Sequence, residues 1–173
     1  MPAAFVERIS EPRIKDFYHF WKARRCASGV PLKRSFDPTS MPPAWLPRIT
    51  IYQWLGEKFL IRLVGTYVVD IDGLNPTGRF LEDILPPEMA EQRHEMFRAV
   101  LTRSMPAYYR GIYNLGDSGR KMPFERLLLP VSASGGEADH IMAMITFDQR
   151  LAPRRGFSMT GSMPEDLEVI WAE

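Results

Sequence analysis

Five β-prone runs, interrupted once by a helical segment, constrain the fold of this chain more than any other feature of its sequence. Turn-forming residues separate the runs, including Gly56-Glu57 and Gly135-Gly136, which suit tight connections between antiparallel strands. The predicted strands are Ile49–Leu55, Lys58–Val64, Tyr108–Leu115, Met122–Val131 and His140–Phe147. This order predicts an α+β fold, in which helices are inserted between the second and third strands of a five-stranded antiparallel sheet.

Two amphipathic helices are predicted to cover the sheet. The first begins after Ser10 and runs to about Ala27, and the long central helix spans Glu88–Ser104. The apolar stripe of the first helix consists of Ile14, Phe17, Tyr18 and Trp21. Several strands are apolar on both faces, so we expect the central helices on one face and the N-terminal helix on the other. The same stripe also suits a seam between two copies, so a homodimer through the N-terminal helix is expected as well.

The length of 173 residues is that of a single domain. We divide it into an N-terminal helix and connector over residues 1–47, a core over residues 48–148 and a tail over residues 149–173. Ser162 and Glu165 in the tail have the spacing of a capping box. The tail is therefore predicted to hold a short helix.

Composition and charge exclude several classes of function. The 22 basic and 21 acidic side chains give a net charge of +1, so neither nucleic acid nor a membrane surface is an expected partner. Cys26 is the only cysteine, which excludes an intramolecular disulfide. The N-terminus lacks the apolar core of a signal peptide, and the longest uncharged apolar stretch, Leu63–Val69, is far shorter than the ~20 residues of a membrane span. We expect a cytoplasmic protein.

Residues 59–86, with the sequence FLIRLVGTYVVDIDGLNPTGRFLEDILP, resemble the middle of a PAS domain. The shared pattern is an Arg-Leu-Val-Gly-Thr strand end, matched by Arg62–Thr66, followed by a glycine and the Thr-Gly-Arg turn of Thr77–Arg79. The resemblance is closest to the stand-alone PAS-type proteins common in alphaproteobacteria. It implies a non-catalytic sensory or protein-interaction module in bacterial signalling. Because no effector segment accompanies the motif, the effector is expected to be a separate protein.

The resemblance also implies a small-molecule pocket between the sheet and the central helices. The residues expected to line it are Arg62, Tyr67, Phe80, Phe97, Tyr109 and Tyr113. An aromatic lining with polar tips and one fixed charge would orient a small ligand. Alternatively, the same residues fill the core, and the sequence leaves the identity of any ligand unknown.

Two cofactors known from PAS domains can be compared with this sequence. Haem-binding members use a histidine on the long helix, so His94 makes a haem sensor the main alternative. Flavin photosensors resemble the chain at Asn75 and Arg79–Leu81, but Gly78 stands where they have the cysteine that bonds to flavin. An uncharacterised enzyme is the other alternative, although no Gly-x-Ser-x-Gly motif is present.

Metal binding is not predicted. Asp70 and Asp72 have the spacing that begins an EF-hand loop, but Leu81 stands where the closing acid is required. The two aspartates are instead expected to cap turns at the end of a strand. The three histidines, His19, His94 and His140, lie on three different predicted elements.

Overall fold

One antiparallel sheet contains every strand of the part of the chain that the structure describes. The structure, a computed structural model, describes residues 4–114, 120–148 and 164–173. The strands are β1 (Ile49–Trp54), β2 (Phe59–Val64), β3 (Ala107–Asn114), β4 (Lys121–Val131), β5 (His140–Phe147) and β6 (Glu165–Trp171). Their order across the sheet is β2-β1-β5-β4-β3-β6. The five predicted strands are confirmed, and a sixth is added.

The sixth strand corrects the prediction of a five-stranded sheet and of a helix in the tail. β6 pairs with β3 along most of its length, and Arg110 and Arg8 both contact the Glu168 carboxylate, at 2.7 and 2.5 Å. Ser162, the predicted cap, lies outside the described residues. The capping pattern is a local signal, whereas the free edge of β3 offers a row of backbone donors and acceptors that a strand satisfies better than a helix.

Four α-helices in the described ranges accompany the sheet. They are α1 (Pro12–Lys22), α2 (Thr66–Asp72), α3 (Leu81–Ile84) and α4 (Pro87–Arg103). The central helix is thus confirmed as α4. The first helix ends earlier than predicted because the chain turns after Lys22, where Arg24 Nε donates to Ser35 O and Arg25 Nε donates to Gly29 O. None of the helices in the described ranges has the length and apolar character that a membrane crossing requires.

The expectation that Asp70 and Asp72 cap turns at a strand end is wrong. Both lie in the last turn of α2, which ends at Gly73 with a left-handed φ of 71°. The chain leaves the sheet after Val64 and enters α2 from Gly65, so these aspartates belong to a helix. Asp72 is thereby turned inward and is buried.

Both faces of the sheet are covered, as expected. Glu125 and Arg126 are neighbours on β4, so their side chains point to opposite faces. Glu125 accepts a hydrogen bond from the backbone N–H of Glu11, next to α1, at 3.0 Å. Arg126 lies on the other face, where it shares a cavity with Arg93 of α4. The N-terminal helix and the central helices therefore occupy opposite sides.

The apolar stripe of α1 packs against the sheet of its own chain. Phe17 is fully buried and its ring lies 5.6 Å from that of Trp45 and 6.3 Å from that of Phe36. Trp21 donates from Nε1 to the carbonyl oxygen of Pro130 on β4 at 2.7 Å. Of the two roles that the sequence left open for this stripe, covering the sheet is the one that the structure shows.

Gly65 stands at the point where β2 passes into α2. A Cβ atom at this position would lie 2.2 Å from the carbonyl oxygen of Pro47 and 2.4 Å from its carbonyl carbon. Both are backbone atoms, so no side-chain rotation relieves the clash. This close approach explains the glycine within the Arg62–Thr66 pattern.

Phe17→Asp is expected to unfold the protein rather than to separate two copies of it. The substitution places a carboxylate at a fully buried position, which costs about 4 kcal/mol or more of unfolding free energy. Urea denaturation followed by circular dichroism measures the loss. Gln92→Asp, on the exposed side of α4, is the matched control and should change stability little. A folded, stable Phe17→Asp variant would contradict the placement of this stripe in the core.

Gly65→Ala is expected to lower the unfolding free energy by about 3 kcal/mol, because the Pro47 backbone must shift to admit the methyl group. Gly136→Ala is the matched control, since the added Cβ atom would lie 3.7 Å from its nearest neighbour, Oγ of the flexible Ser134 side chain. Thermal and urea unfolding of the two variants provide the comparison. Equal stability of the two would show that the β2–α2 junction is not as tight as described.

Candidate functional site

A small cavity lies between the sheet and the helices α2 to α4. Its volume is about 60 Å³. Apolar side chains such as Ile61, Val68 and Leu81 form much of its wall. Its polar lining consists of Thr50, Tyr52, Asp72, Arg93, Tyr113 and Arg126, all of which are buried. Polar groups from three strands and two helices thus converge on one internal space.

Arg126 is the most deeply buried charge on this cavity, with 6% of its surface exposed. Its position on the helix-covered face of β4 follows from the alternation of the strand. Nη1 donates to the phenol oxygen of Tyr109 on β3 at 2.7 Å, and the guanidinium carbon lies 5.5 Å from the centre of the same ring. An arginine carries several N–H donors in a planar fork, and this bond engages one of them.

Arg93 reaches the cavity from α4 and is 8% exposed. Its guanidinium carbon lies 5.8 Å from the centre of the Tyr109 ring and 5.9 Å from that of Phe97. The two guanidinium groups therefore both border Tyr109. Within the described residues, no carboxylate oxygen lies at ion-pair distance from either of them.

The phenol of Tyr52 does not neutralise the charge of Arg126 at neutral pH. Burial raises the pKa of Tyr52, and the nearby Arg126 and Arg93 offset this only in part, so Tyr52 stays protonated. Burial lowers the pKa of Arg126, but the neighbouring tyrosines raise it further, so the guanidinium stays charged. A buried charge of this kind is costly unless a counter-charge and hydrogen bonds compensate it.

Of the six residues predicted to line a pocket, two lie at this site. Tyr113 lines the cavity, and its ring stacks on that of Phe124 at 4.6 Å. Tyr109 lies beside the cavity, where its hydroxyl accepts the bond from Arg126. Whether any of the six contacts a ligand stays a prediction.

The other four predicted residues lie elsewhere. Arg62 is exposed, because β2 has a register irregularity that leaves it without a partner on β1 and turns it outward. Phe80 caps α3 and lies half-buried near Lys58. Phe97 packs in the core, where the centre of its ring lies 4.8 Å from that of Tyr52.

Tyr67, the last of the six, lies on α2 under a different arginine. Arg48 stacks on its ring at 3.7 Å, and the Phe147 ring lies 6.0 Å away. Its hydroxyl oxygen is buried and has no hydrogen-bond partner among the described residues. Tyr67 does not line the cavity.

Sequence reasoning missed the two arginines of the site, although each left a signal. Arg93 lies four residues after Met89 and four before Phe97, which places it on the buried stripe of α4. Arg126 interrupts the apolar residues of β4 at a position that alternation assigns to the covered face. A charged residue at a core position of a helix or strand is the informative exception to apolar burial.

His94 does not fit a haem ligand in this structure. Its Nδ1 lies 2.9 Å from Glu82 Oε1, and its ring packs against those of Trp54 and Phe59 at 5.5 and 5.8 Å. The residue does not line the cavity, which at about 60 Å³ is far too small for a macrocycle. Among the described residues, no cluster of three or more potential metal-ligating side chains occurs.

An open groove lies outside the cavity, between α4 and β6. Its volume is about 450 Å³, and its wall includes Met96, the exposed side chains of Leu167 and Val169, and Trp171. Arg93 lines both the groove and the cavity. This side chain therefore stands between the interior site and the surface.

Comparison with solved structures found several similar chains. The PAS domain of BvgS from Bordetella pertussis is 17% identical, with a TM-score of 0.47, and the match covers 61% of this chain and 79% of that one. VqmA from Vibrio cholerae is 17% identical, with a TM-score of 0.47, and the match covers 69% and 56%. An RNA-binding light-oxygen-voltage receptor is 18% identical, with a TM-score of 0.43, over 69% and 36%. The chain thus spans about half of the VqmA structure.

A search of curated proteins found no match. A model of the PAS domain family matches residues 9–146, which include α1, the residues that line the cavity, β1 to β4 and all but the last residue of β5. The match covers most of the chain and begins before the segment that carried the resemblance. The chain belongs to the PAS domain family.

Proposed function

We propose that this PAS domain is a non-catalytic sensory module of bacterial signalling that takes up a small molecule in the cavity between the sheet and α2 to α4. The observation that carries the proposal is the set of buried polar groups on that cavity, above all Arg93 and Arg126. If the positions served packing alone, apolar residues of similar volume would stabilise the fold as well or better. Their presence in a cavity supports binding.

The chemistry of the lining supports binding rather than covalent catalysis. Among the described residues, the cavity is lined by no histidine, cysteine or serine. General acid–base catalysis most often uses histidine, and serine or cysteine nucleophiles are activated by an adjacent base. The cavity therefore supports a sensory role better than an enzymatic one.

A ligand in this cavity would bias the packing of α2 and α4 against the sheet, since Asp72 and Arg93 come from these helices. Only a ligand with different affinities for two packings shifts the balance between them. We propose that the signal leaves through protein contacts, in a homodimer through α1 and onward to a separate effector protein. The exposed side of α1 carries Arg13, Asp16 and His19, so its contacts in a dimer would be polar.

Filling the cavity is expected to abolish ligand uptake. Val68 lines the cavity from α2, and Val68→Phe places a ring in a space of about 60 Å³. Leu63→Phe, at a side chain of which 43% is exposed, is the control. The measurements are native mass spectrometry of gently purified protein and amide NMR spectra recorded during titration with a deproteinised bacterial extract.

The wild type and Leu63→Phe should retain an added mass or show shifts near the cavity, and Val68→Phe should do neither. A wild type that shows no added mass and no shifts would contradict the proposed function. An unchanged response of a folded Val68→Phe variant would place uptake elsewhere.

Light scattering coupled to size exclusion tests the dimer. The expected mass is that of two chains at micromolar concentration, and it should fall toward one chain in His19→Glu if α1 forms the seam. Glu91→Lys is the control, because this exposed residue lies on α4, on the opposite side of the sheet from α1. A wild type that remains monomeric at all concentrations tested would refute the homodimer.

A further inference from the structure

We propose that the ligand of the cavity is a short-chain carboxylate, whose carboxylate group is held by Arg126 and Arg93. This inference rests on the proposed function, because it names the ligand class of the same site. It begins from two guanidinium groups that are more than nine-tenths buried and line one internal space.

The hydrogen-bonding capacity of these two groups points to an anion. Arg126 donates to one phenol oxygen, and Arg93 contacts the faces or edges of two aromatic rings. The remaining N–H groups of a buried guanidinium need acceptors, and its charge needs a counter-charge. A carboxylate supplies both, because its two oxygens match the planar fork of arginine.

The charge of the cavity lining favours a monoanion over a phosphate. Two arginines and one aspartate line the space, which leaves a formal excess of one positive charge. A carboxylate balances that charge, whereas a phosphate monoester carries about −1.5 to −2 at neutral pH. Asp72 would repel the additional negative charge of a phosphate.

The shape of the cavity favours a short ligand. A volume of about 60 Å³ has room for a few atoms beyond the charged group. The apolar wall formed by Ile61, Val68 and Leu81 suits a short alkyl segment. The sodium salts of acetate, propionate, glycolate and lactate are therefore the probes, and inorganic phosphate is the competing anion.

The experiment is a calorimetric and NMR titration of these probes into the wild type at constant ionic strength. At least one carboxylate should bind with a Kd of about 1 mM or lower and shift the amide signals of cavity residues. Inorganic phosphate should bind at least about ten-fold more weakly. Arg126→Gln and Arg93→Gln should each weaken carboxylate binding at least about ten-fold, a loss typical of a charge-assisted hydrogen bond.

Arg79→Gln is the matched control, because it removes the same charge from an exposed arginine and should keep the Kd within about two-fold. If Arg126→Gln fails to fold, Arg126→Lys keeps the charge without the planar fork and should still weaken binding. Phosphate that binds as well as every carboxylate, or binding that is equal in Arg79→Gln and both cavity variants, would overturn the inference.

Failure of this inference is distinguishable from failure of the proposed function. If no carboxylate binds while the bacterial extract still produces a response that Val68→Phe abolishes, the ligand belongs to another class and the sensory function stands. If neither the probes nor the extract binds to the wild type, both fall.

Discussion

The burial of both faces of one antiparallel sheet is the constraint on which the rest of this structure depends. Every residue of β5 is buried, so this strand has no solvated face. Consecutive side chains of a strand point to opposite sides, and a sheet with such a strand needs a separate cover on each. The helix α1 supplies one cover and is anchored by the Trp21–Pro130 hydrogen bond. The helices α2 to α4 supply the other, with the cavity beneath them.

The polar cluster in that cavity stands out because the surrounding fold does not require it. Buried charges rarely add to stability when apolar residues can occupy the same volume, and Arg93 and Arg126 have no carboxylate within ion-pair distance among the described residues. Their cost becomes understandable if a bound anion completes the site. The same reasoning separates them from Arg24 and Arg25, which stack on Phe20 and Trp21 at the protein surface and need no ligand.

The candidate site was predictable only in part, and particular residues show why. Tyr113 was predicted from the PAS resemblance, and alternation along β3 does place it on the covered face. Arg62 was also assigned to the pocket from the resemblance, but a register irregularity between β1 and β2 leaves it facing outward. An irregularity of this kind depends on the partner strand, so the sequence of β2 alone does not reveal it. Arg126 could have been identified from the sequence, because it is a charged residue at a core position of β4.

The sequence by itself determined the family, the strands β1 to β5, the long helix α4 and the end of β2 before Gly65. Periodicity and turn chemistry determine these features because they are local properties that neighbouring residues express together. Only the tertiary structure decided that Glu165–Trp171 forms a strand and that the stripe of α1 is used within the chain. It also decided which arginines share a cavity. These features depend on surfaces contributed by distant segments, and the free edge of β3 or the open face of the sheet exists only after the chain has folded.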